Sequence, residues 1–177
     1  AIDEPKENEF ANLYQEENDI ETKEFVKEFQ IDTDFELLFP DEYINNISER
    51  LSLYNELGSV KNNAELEAYE KRLIDRFGAL PKEAVSLLNS VRIKWKAKQI
   101  GLERLILKQN KMVGYFIGDQ QSNFYQSNRF MSVMKFAQQN GNLCKVKEKE
   151  TKNGLRLLIT FENVKSIHKA LELIEMI

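Results

Sequence analysis

The sequence predicts an α+β fold, in which a three-helix N-terminal subdomain precedes a β-β-α-β-β-α segment with a mainly antiparallel sheet. Three observations lead to this fold class. Apolar residues recur at helical spacing up to Gly101, between short segments rich in glycine, proline and asparagine. After Gly101 they alternate with polar residues, as in half-buried strands. Asn153-Gly154, between two such segments, is a strong signal for a hairpin of antiparallel strands.

The helical subdomain, residues 48–101, is predicted from three amphipathic segments bounded by residues that begin or end helices. Ser48 is expected to begin the first helix and Gly58 to end it, and Asn62 with Glu65 fits the capping box of the second. Gly78 is positioned to end the second helix, and Pro81 fits the first turn of the third. The predicted buried stripes are Leu51, Tyr54 and Leu57; Leu66, Tyr69, Leu73 and Phe77; and Ala84, Leu87, Leu88, Val91 and Trp95.

The sheet-containing part, residues 102–177, is predicted as two hairpins that each precede a helix. The strands of the two hairpins are expected within residues 102–117 and 143–161. Ser127 is predicted to begin the helix between the hairpins, and Asn163 to begin the last helix. The expected buried residues of the last helix are Ile167, Ala170, Leu171, Ile174 and Ile177.

Composition limits the class of protein. The chain has 177 residues, of which 42% are hydrophobic, enough for one domain with a core of its own. No run approaches 18 apolar residues and no secretory leader is recognisable, so neither a membrane span nor secretion is predicted. A single cysteine, Cys144, cannot form an internal disulfide, and a reducing, cytoplasmic location is expected.

Charge is distributed unevenly along the chain. Residues 1–36 contain 13 of the 29 carboxylates but only 3 of the 25 Lys and Arg, a net charge of −10, whereas residues 37–177 have a net charge of +6. Self-repulsion and few apolar residues predict that residues 1–36 form an acidic linker or tail. Residues 37–177 are predicted to form a single α+β domain, and the start at Ala1 leads us to expect a piece of a longer chain.

Motifs for catalysis or cofactor binding are absent from the sequence. It contains neither a P-loop nor a G-x-G-x-x-G motif, and no H-E-x-x-H or C-x-x-C pair. The single histidine, His168, and the single cysteine exclude a structural zinc site built on these residues. The densest carboxylates lie in the acidic segment, where nothing is expected to shift their pKa values. We therefore expect no catalytic residue, no cofactor and no metal in this chain.

A basic stretch, residues 92–111, permits two interpretations. Clustered cations can neutralise nucleic-acid phosphates, so the stretch is a candidate nucleic-acid-binding surface. The alternative, which we favour, is a solvated helix face followed by an edge strand protected by lysines. The same alternative applies to Lys145, Lys147 and Lys149, which alternate along a predicted strand. The cations of the stretch are Arg92, Lys94, Lys96, Lys98, Arg104, Lys108 and Lys111, against Glu103 alone.

Charged residues on the second predicted helix form the other candidate site. Arg72 and Asp75 are spaced to form an intrahelical pair, whereas Arg72 and Arg76 are like charges four residues apart. Charges that do not stabilise their own helix are candidates for contact with a partner. Solvated helix charges are an equally good interpretation of the pattern alone.

Several phrases of the sequence resemble one known family. These are LLFPDEYINNISERLSLYNEL at 37–57, RLIDRFGALP at 72–81, and the helix that runs into KQIGL at 98–102. They are similar to the C-terminal domain of bacterial transcription-repair coupling factors, the Mfd family. The resemblance spans about residues 30–177 and is strongest in the first half. The acidic block that precedes these segments in this chain resembles the linker that follows the translocase motor in that family.

The resemblance implies a regulatory role within a larger machine. Members of the family are ATP-dependent double-stranded DNA translocases that displace stalled RNA polymerase and recruit UvrA during nucleotide excision repair. ATP and magnesium belong to the motor domains, so this segment is not expected to be an enzyme. Its expected partner is the UvrA-binding module of the same polypeptide, which it would mask while restraining the motor. UvrA and RNA polymerase are expected as indirect partners, DNA only through the parent, and no membrane.

The resemblance also implies the residues of this interdomain interface. The family's contact residues correspond to Arg72, Asp75 and Arg76 of this chain. Asp75 and Arg76 match the family, whereas Arg72 occupies a position where the family commonly has glutamate.

Overall fold

A computed structural model describes residues 24–177. It confirms the predicted α+β class and the order of three helices followed by β-β-α-β-β-α, and it adds one strand before the helices. The described helices are α1 (Ile47–Ser59), α2 (Asn63–Phe77), α3 (Lys82–Gln99), α4 (Asn128–Gln139) and α5 (Ile167–Glu175). The described strands are β1 (Gln30–Thr33), β2 (Leu102–Lys108), β3 (Lys111–Phe116), β4 (Cys144–Thr151) and β5 (Gly154–Phe161).

The first helix begins and ends slightly differently from the prediction. Asn46, not Ser48, is its N-cap, and the Asn46 side chain accepts a hydrogen bond of 3.0 Å from the backbone N–H of Glu49. Gly58 lies inside the helix, which continues to Ser59. Asparagine is as good an N-cap as serine, so residue type gives no reason to prefer Ser48 to Asn46.

The second and third helices follow the sequence signals closely. Asn62 accepts a hydrogen bond of 2.8 Å from the backbone N–H of Glu65, and the Glu65 carboxylate accepts one of 2.8 Å from the N–H of Lys61. Gly78 ends α2 with a φ of +89°, a conformation that favours glycine. Pro81 lies immediately before α3, as its N-cap.

The helical subdomain has a hydrophobic core of its own. Half of the twelve predicted stripe residues are buried in it, and Leu51 is 58% exposed. The other five pack against this core while partly buried: Tyr54, Phe77, Leu87, Val91 and Trp95. The buried positions of α1 are Leu53 and Leu57, which lie four residues apart on one face, and Leu51 is turned away from them. The buried core residues are Phe39, Ile44, Leu53, Leu57, Leu66, Tyr69, Leu73, Ala84 and Leu88.

The five described strands form one sheet in the order β1-β2-β3-β5-β4. Only the β1–β2 pairing is parallel, and the other three pairings are antiparallel, which confirms a mainly antiparallel sheet. The predicted hairpin around Asn153-Gly154 is present, and Gly154 has a φ of +107°. Gln109 and Asn110, with φ values of +52° and +60°, form the turn between β2 and β3.

One face of the sheet forms the second hydrophobic core. Leu105, Leu107, Met112, Ile159 and Phe161 are buried there and belong to one cluster with residues of α3, α4 and α5. Because side chains alternate between the two faces of a strand, burial of these residues directs their neighbours to the opposite face. The buried Cys144 belongs to this cluster, and burial raises the pKa of its thiol.

A close contact joins the helical subdomain to the sheet. Gly101, between α3 and β2, has a φ of +86°, and a Cβ atom at this position would lie 2.1 Å from the Phe124 ring. No side chain fits in that space, so only glycine allows the ring to pack there. Phe124 is fully buried among Phe25, Phe116 and Phe130 and is therefore a core residue.

The last helix begins three residues later than predicted. Ser166 is its N-cap and accepts a hydrogen bond of 3.0 Å from the backbone N–H of Lys169. Asn163 instead adopts a left-handed conformation with a φ of +59°, in the turn that follows β5. Asparagine favours caps and left-handed turns alike, and this dual preference explains the error.

The folded region begins earlier than the predicted boundary at residue 37. Residues 1–23 of the predicted acidic linker lie outside the described residues, but residues 24–36 include β1, which pairs in parallel with β2. Val26 is 2% exposed within the core. Acidic residues in this segment pair with cations that are distant in sequence: Asp32 lies 3.0 Å from Lys108. Charge counted along the chain missed this pairing, so the prediction of a tail is wrong for residues 24–36.

We expect Val26→Ala to lower the free energy of unfolding by about 1–3 kcal/mol, because it removes buried methyl groups and leaves a cavity. Urea denaturation of the 177-residue chain measures this change. Lys27→Ala is the matched control, since Lys27 is exposed and the change should stay within about 0.5 kcal/mol. An unchanged stability of Val26→Ala would mean that this segment contributes nothing to the core.

Candidate functional site

The candidate site lies on α2, which two kinds of contact hold against its neighbours. Leu66, Tyr69 and Leu73 are buried on its inner face. The Tyr69 hydroxyl donates a hydrogen bond of 2.7 Å to the backbone oxygen of Leu53 in α1, and burial raises the pKa of Tyr69. The Tyr43 hydroxyl donates a bond of 2.8 Å to the oxygen of Gly78, at the end of α2. These contacts fix the direction in which the outer residues of α2 point.

Arg72 and Arg76 both form ion pairs with α1. Arg72 Nη2 lies 2.5 Å from Glu56 Oε1, so Arg72 pairs across to α1 and not with Asp75 along its own helix. Arg76 pairs with Glu49. The two arginines are four residues apart on α2 and the two glutamates are seven residues apart on α1. Both spacings place the two side chains on one face of their helix, so the two faces can meet where the helices pack. The like charges of Arg72 and Arg76 are therefore each compensated by a separate carboxylate.

The two guanidinium groups also lie near aromatic rings. Arg76 Cζ is 4.8 Å from the centroid of the Phe77 ring, and Arg72 Cζ is 5.8 Å from that of Tyr69. Such contacts orient a guanidinium group while leaving its outer N–H donors free. Both side chains remain more than half exposed, at 62% for Arg72 and 58% for Arg76.

Asp75 occupies a different side of α2. It is exposed, and no ion pair or hydrogen bond joins its side chain to another residue of the described part of the chain. Its helical spacing places it on a stripe with Ala64, Ala68 and Lys71, all of them exposed. Ile74, beside this stripe, is 42% exposed. Small side chains, one apolar residue, one lysine and a carboxylate without a partner among the described residues form a surface that another domain can approach closely.

Glu49 and Glu56 are part of this site but were not predicted from the sequence. Both lie on α1, within the segment 37–57 that resembles the family but away from Arg72, Asp75 and Arg76 in the sequence. The sequence did contain a signal for them. The two glutamates are seven residues apart on one helix, and the two arginines are four residues apart on the next, so each pair lies on one helix face. Knowledge of which helix faces pack together was needed to use it.

The basic stretch 92–111 does not form one surface. Its first half lies on α3, where Arg92 donates hydrogen bonds to Asn63 and Asn89, and Lys98 pairs with Glu24. Its second half lies on β2 and β3, where Arg104 pairs with Asp32. The continuous cationic stretch of the sequence is therefore divided between a helix and the sheet.

The described residues offer little for acid–base or metal chemistry. Among residues 24–177, no group of three or more His, Cys, Asp or Glu side chains is arranged to hold a metal ion. The pKa of Asp32 is lowered, first because Lys108 donates a hydrogen bond to it and also because Arg104 lies nearby. A carboxyl group held ionised in this way is a poor proton donor at neutral pH. No helix in this part of the chain has the length and apolar character required to cross a membrane.

Comparisons with known proteins point to one family. A sequence model described as the TRCF domain matches residues 33–127. The transcription-repair-coupling factor of Escherichia coli K12 is 41% identical over 68 residues, which cover 38% of this chain and 6% of that protein. The corresponding protein of Rickettsia conorii is 27% identical over 135 residues, which cover 76% of this chain and 11% of that protein. The chain therefore spans a small part of these relatives.

A solved structure has the same fold. The crystal structure of the C-terminal domain of a transcription-repair coupling factor superposes with a TM-score of 0.61 and 20% sequence identity. The match covers 84% of this chain and 89% of that one. That coverage is larger than either the helical subdomain or the sheet-containing part could provide alone, so the match extends over both.

We expect Arg72→Glu to lower the free energy of unfolding by up to about 1 kcal/mol, because it replaces an exposed ion pair with two facing carboxylates. The double variant Glu56→Arg with Arg72→Glu should recover most of this loss, since it restores opposite charges. Chemical denaturation of the single and double variants measures the coupling. Additive losses in the double variant would contradict the pairing of Arg72 with Glu56.

Proposed function

The chain belongs to the TRCF domain family and has the fold of a transcription-repair coupling factor C-terminal domain, and on that premise we propose that it is an autoinhibitory domain. Its partner is the UvrA-binding module of the same polypeptide. The contact masks the surface that UvrA binds and restrains the ATP-dependent DNA translocase that displaces stalled RNA polymerase. ATP and magnesium are used by the motor domains of the parent, and this domain itself catalyses no reaction.

The main support for this proposal is the arrangement of charged residues on the outer surface of α2. Asp75 is exposed and has no partner among the described residues, although it lies between two arginines that both have one. A carboxylate in this setting is available for a cation on another domain. The neighbouring Ala64 and Ala68 allow the backbone of α2 to be approached closely. Asp75 is therefore the residue that gives the contact its charge specificity.

Arg72 and Arg76 act in this contact through their remaining donors. Each guanidinium group has five N–H donors, and a single carboxylate of α1 uses at most two of them. The outward N–H groups can bind acceptors on the docked module without breaking the ion pairs to Glu56 and Glu49. The charge reversal at Arg72, relative to the glutamate common in the family, is thus compensated within this chain by Glu56.

A contact of this kind suits a switch within one molecule. Exposed charge pairs contribute little free energy each, so the same two surfaces would bind weakly as separate chains. A covalent tether raises their effective concentration to the millimolar range, which is enough to keep a weak contact closed. Opening then requires only a few kcal/mol, which engagement of polymerase or DNA by the rest of the protein can supply.

We expect Asp75→Ala, in the full-length protein, to raise both basal ATPase activity and UvrA binding, because it removes the unpaired carboxylate of the contact. The double variant Asp75→Ala with Arg76→Ala should raise both further. Steady-state ATPase assays without polymerase, and titration with UvrA, measure the two effects. Calorimetric titration of this domain with the isolated UvrA-binding module measures the contact directly.

Glu175→Ala is the matched control, because Glu175 is also an exposed carboxylate but lies on α5. It should leave ATPase activity and UvrA binding as they are in the natural sequence. Loss of the helical circular-dichroism signal in Asp75→Ala would point to misfolding, so the signal is recorded for every variant. Unchanged ATPase activity and UvrA affinity in folded Asp75→Ala and in the folded double variant would refute the autoinhibitory role.

A further inference from the structure

The sheet has a second face, opposite the one that packs against the helices. Its residues follow from the register. In one row Lys145, Thr160, Val113, Ile106 and Asp32 lie side by side across all five strands. The next row consists of Lys147, Leu158, Tyr115, Arg104 and Gln30. None of these residues belongs to either hydrophobic cluster of the described chain.

This second face is strongly basic. We call it the basic face, and define it by seven cationic residues that point to the same side. Three carboxylates, Asp32, Glu103 and Glu162, pair with some of them. The cationic residues are Arg104, Lys108, Lys111, Lys145, Lys147, Lys149 and Arg156.

Two pairs of like charges lie directly opposite each other on this face. Lys108 faces Lys111 across β2 and β3, and Lys149 faces Arg156 across β4 and β5. Directly opposed like charges destabilise a sheet. Carboxylates compensate three of these four charges: Asp32 lies 3.0 Å from Lys108, Glu162 3.5 Å from Lys111 and Glu103 2.8 Å from Arg156. Lys149 has no carboxylate partner among the described residues. An arrangement of this kind is favourable for binding an anion.

The edge strand β4 carries the cations with the fewest partners. Lys145, Lys147 and Lys149 are exposed and form no ion pair within residues 24–177. Alternate residues of a strand are about 7 Å apart, since the rise is about 3.4 Å per residue. Successive phosphates along one nucleic-acid strand have a comparable spacing. The three ammonium groups can therefore each meet a different phosphate.

The middle of the basic face is partly apolar and contains an aromatic ring. Tyr115 is half-buried, and its ring lies between two guanidinium groups, with Arg104 Cζ at 6.0 Å and Arg156 Cζ at 5.4 Å from the ring centroid. Ile106 and Val113 lie in the adjacent row. An aromatic ring and planar guanidinium groups on a sheet surface are the groups on which unpaired bases stack.

We propose that the basic face binds single-stranded nucleic acid, with phosphates along Lys145, Lys147 and Lys149 and a base over Tyr115 and its two arginines. In residues 24–177 this face presents rows of side chains and no projecting helix, so it is better suited to an open strand than to the major groove of a duplex. An acidic protein segment would satisfy the lysines but not the aromatic centre. The proposal does not depend on the docking surface of α2, which lies in the helical subdomain.

Binding is tested with the 177-residue chain and a fluorescein-labelled oligonucleotide of about 12 nucleotides and mixed sequence. Fluorescence anisotropy is recorded between about 50 and 200 mM salt, with single-stranded DNA, single-stranded RNA and duplex DNA of equal length. We expect single strands to bind more tightly than the duplex, and the logarithm of the affinity to fall linearly with the logarithm of the salt concentration.

The triple variant Lys145→Gln, Lys147→Gln and Lys149→Gln removes three phosphate contacts. For single strands, each phosphate contact contributes about 0.7 to the slope of log affinity against log salt concentration, so the loss of three contacts lowers the magnitude of this slope by about 2. Between about 50 and 200 mM salt, the factor by which the natural sequence loses affinity should therefore be about 20 times that of the triple variant. The matched control Lys82→Gln, Lys94→Gln and Lys135→Gln removes the same charge from exposed positions on helices, including the helical half of the 92–111 stretch. It should retain the natural salt slope.

Tyr115 tests the aromatic contact separately. Tyr115→Phe keeps the ring and should retain the affinity, whereas Tyr115→Leu should weaken binding about tenfold or more, in line with the contribution of one stacked base. Thermal unfolding of each variant confirms that it is folded before binding is measured.

Four results would overturn the proposal. They are the absence of any anisotropy change at about 50 mM salt, an equal loss of affinity in both triple variants, binding of duplex DNA as tight as that of single strands, and displacement of the oligonucleotide by an equal charge concentration of polyglutamate. The last result would identify an acidic protein segment as the partner of this face. Single-stranded nucleic-acid binding would be supported by a salt slope that falls only in the triple variant of β4, together with a loss of affinity in Tyr115→Leu but not in Tyr115→Phe.

Discussion

Burial of one side of each secondary-structure element determines what this protein presents to other molecules. The side chains of a strand alternate, so packing Leu105, Met112 and Ile159 into the core directs Arg104, Tyr115 and Lys145 to the opposite face. The same constraint acts on α2 with a helical period: burial of its inner residues turns Asp75 outwards. Both proposed binding surfaces are therefore consequences of how the two hydrophobic cores are packed.

The two surfaces differ in the free energy that they can contribute. In the contact proposed for α2, the arginines already pair with α1, so docking would add hydrogen bonds to groups that are oriented in advance. Asp75, which has no partner among the described residues, would provide the selectivity. On the sheet, opposed like charges are compensated only in part by neighbouring carboxylates. A polyanion would relieve this repulsion and release counterions, which makes its binding strongly dependent on salt. The first surface suits a tethered switch, and the second suits a polymer that binds over a range of positions.

The N-terminal segment shows why charge counted along a sequence misleads. Residues 1–36 are strongly acidic, and the expected self-repulsion predicted a linker. In the described part, Asp32 instead lies between Arg104 and Lys108, more than 70 residues away, while Val26 enters the core. Repulsion among neighbours in sequence was replaced by attraction across the sheet. The basic stretch 92–111 shows the reverse case. Its cations are neighbours in the sequence, but the fold divides them between α3 and two strands.

The amino-acid sequence by itself determined the class of fold, the order of helices and strands after residue 47, and the turns at Gly78 and Gly154. It also determined the family, through the phrases around Asp75. These properties depend on local periodicity, on backbone preferences and on short motifs, all of which act over a few residues. Only the tertiary structure decided that β1 joins the sheet, that Arg72 pairs with Glu56, and that lysines of β4 share a face with Tyr115. Each of these depends on which faces pack together, and packing joins residues that are distant in sequence.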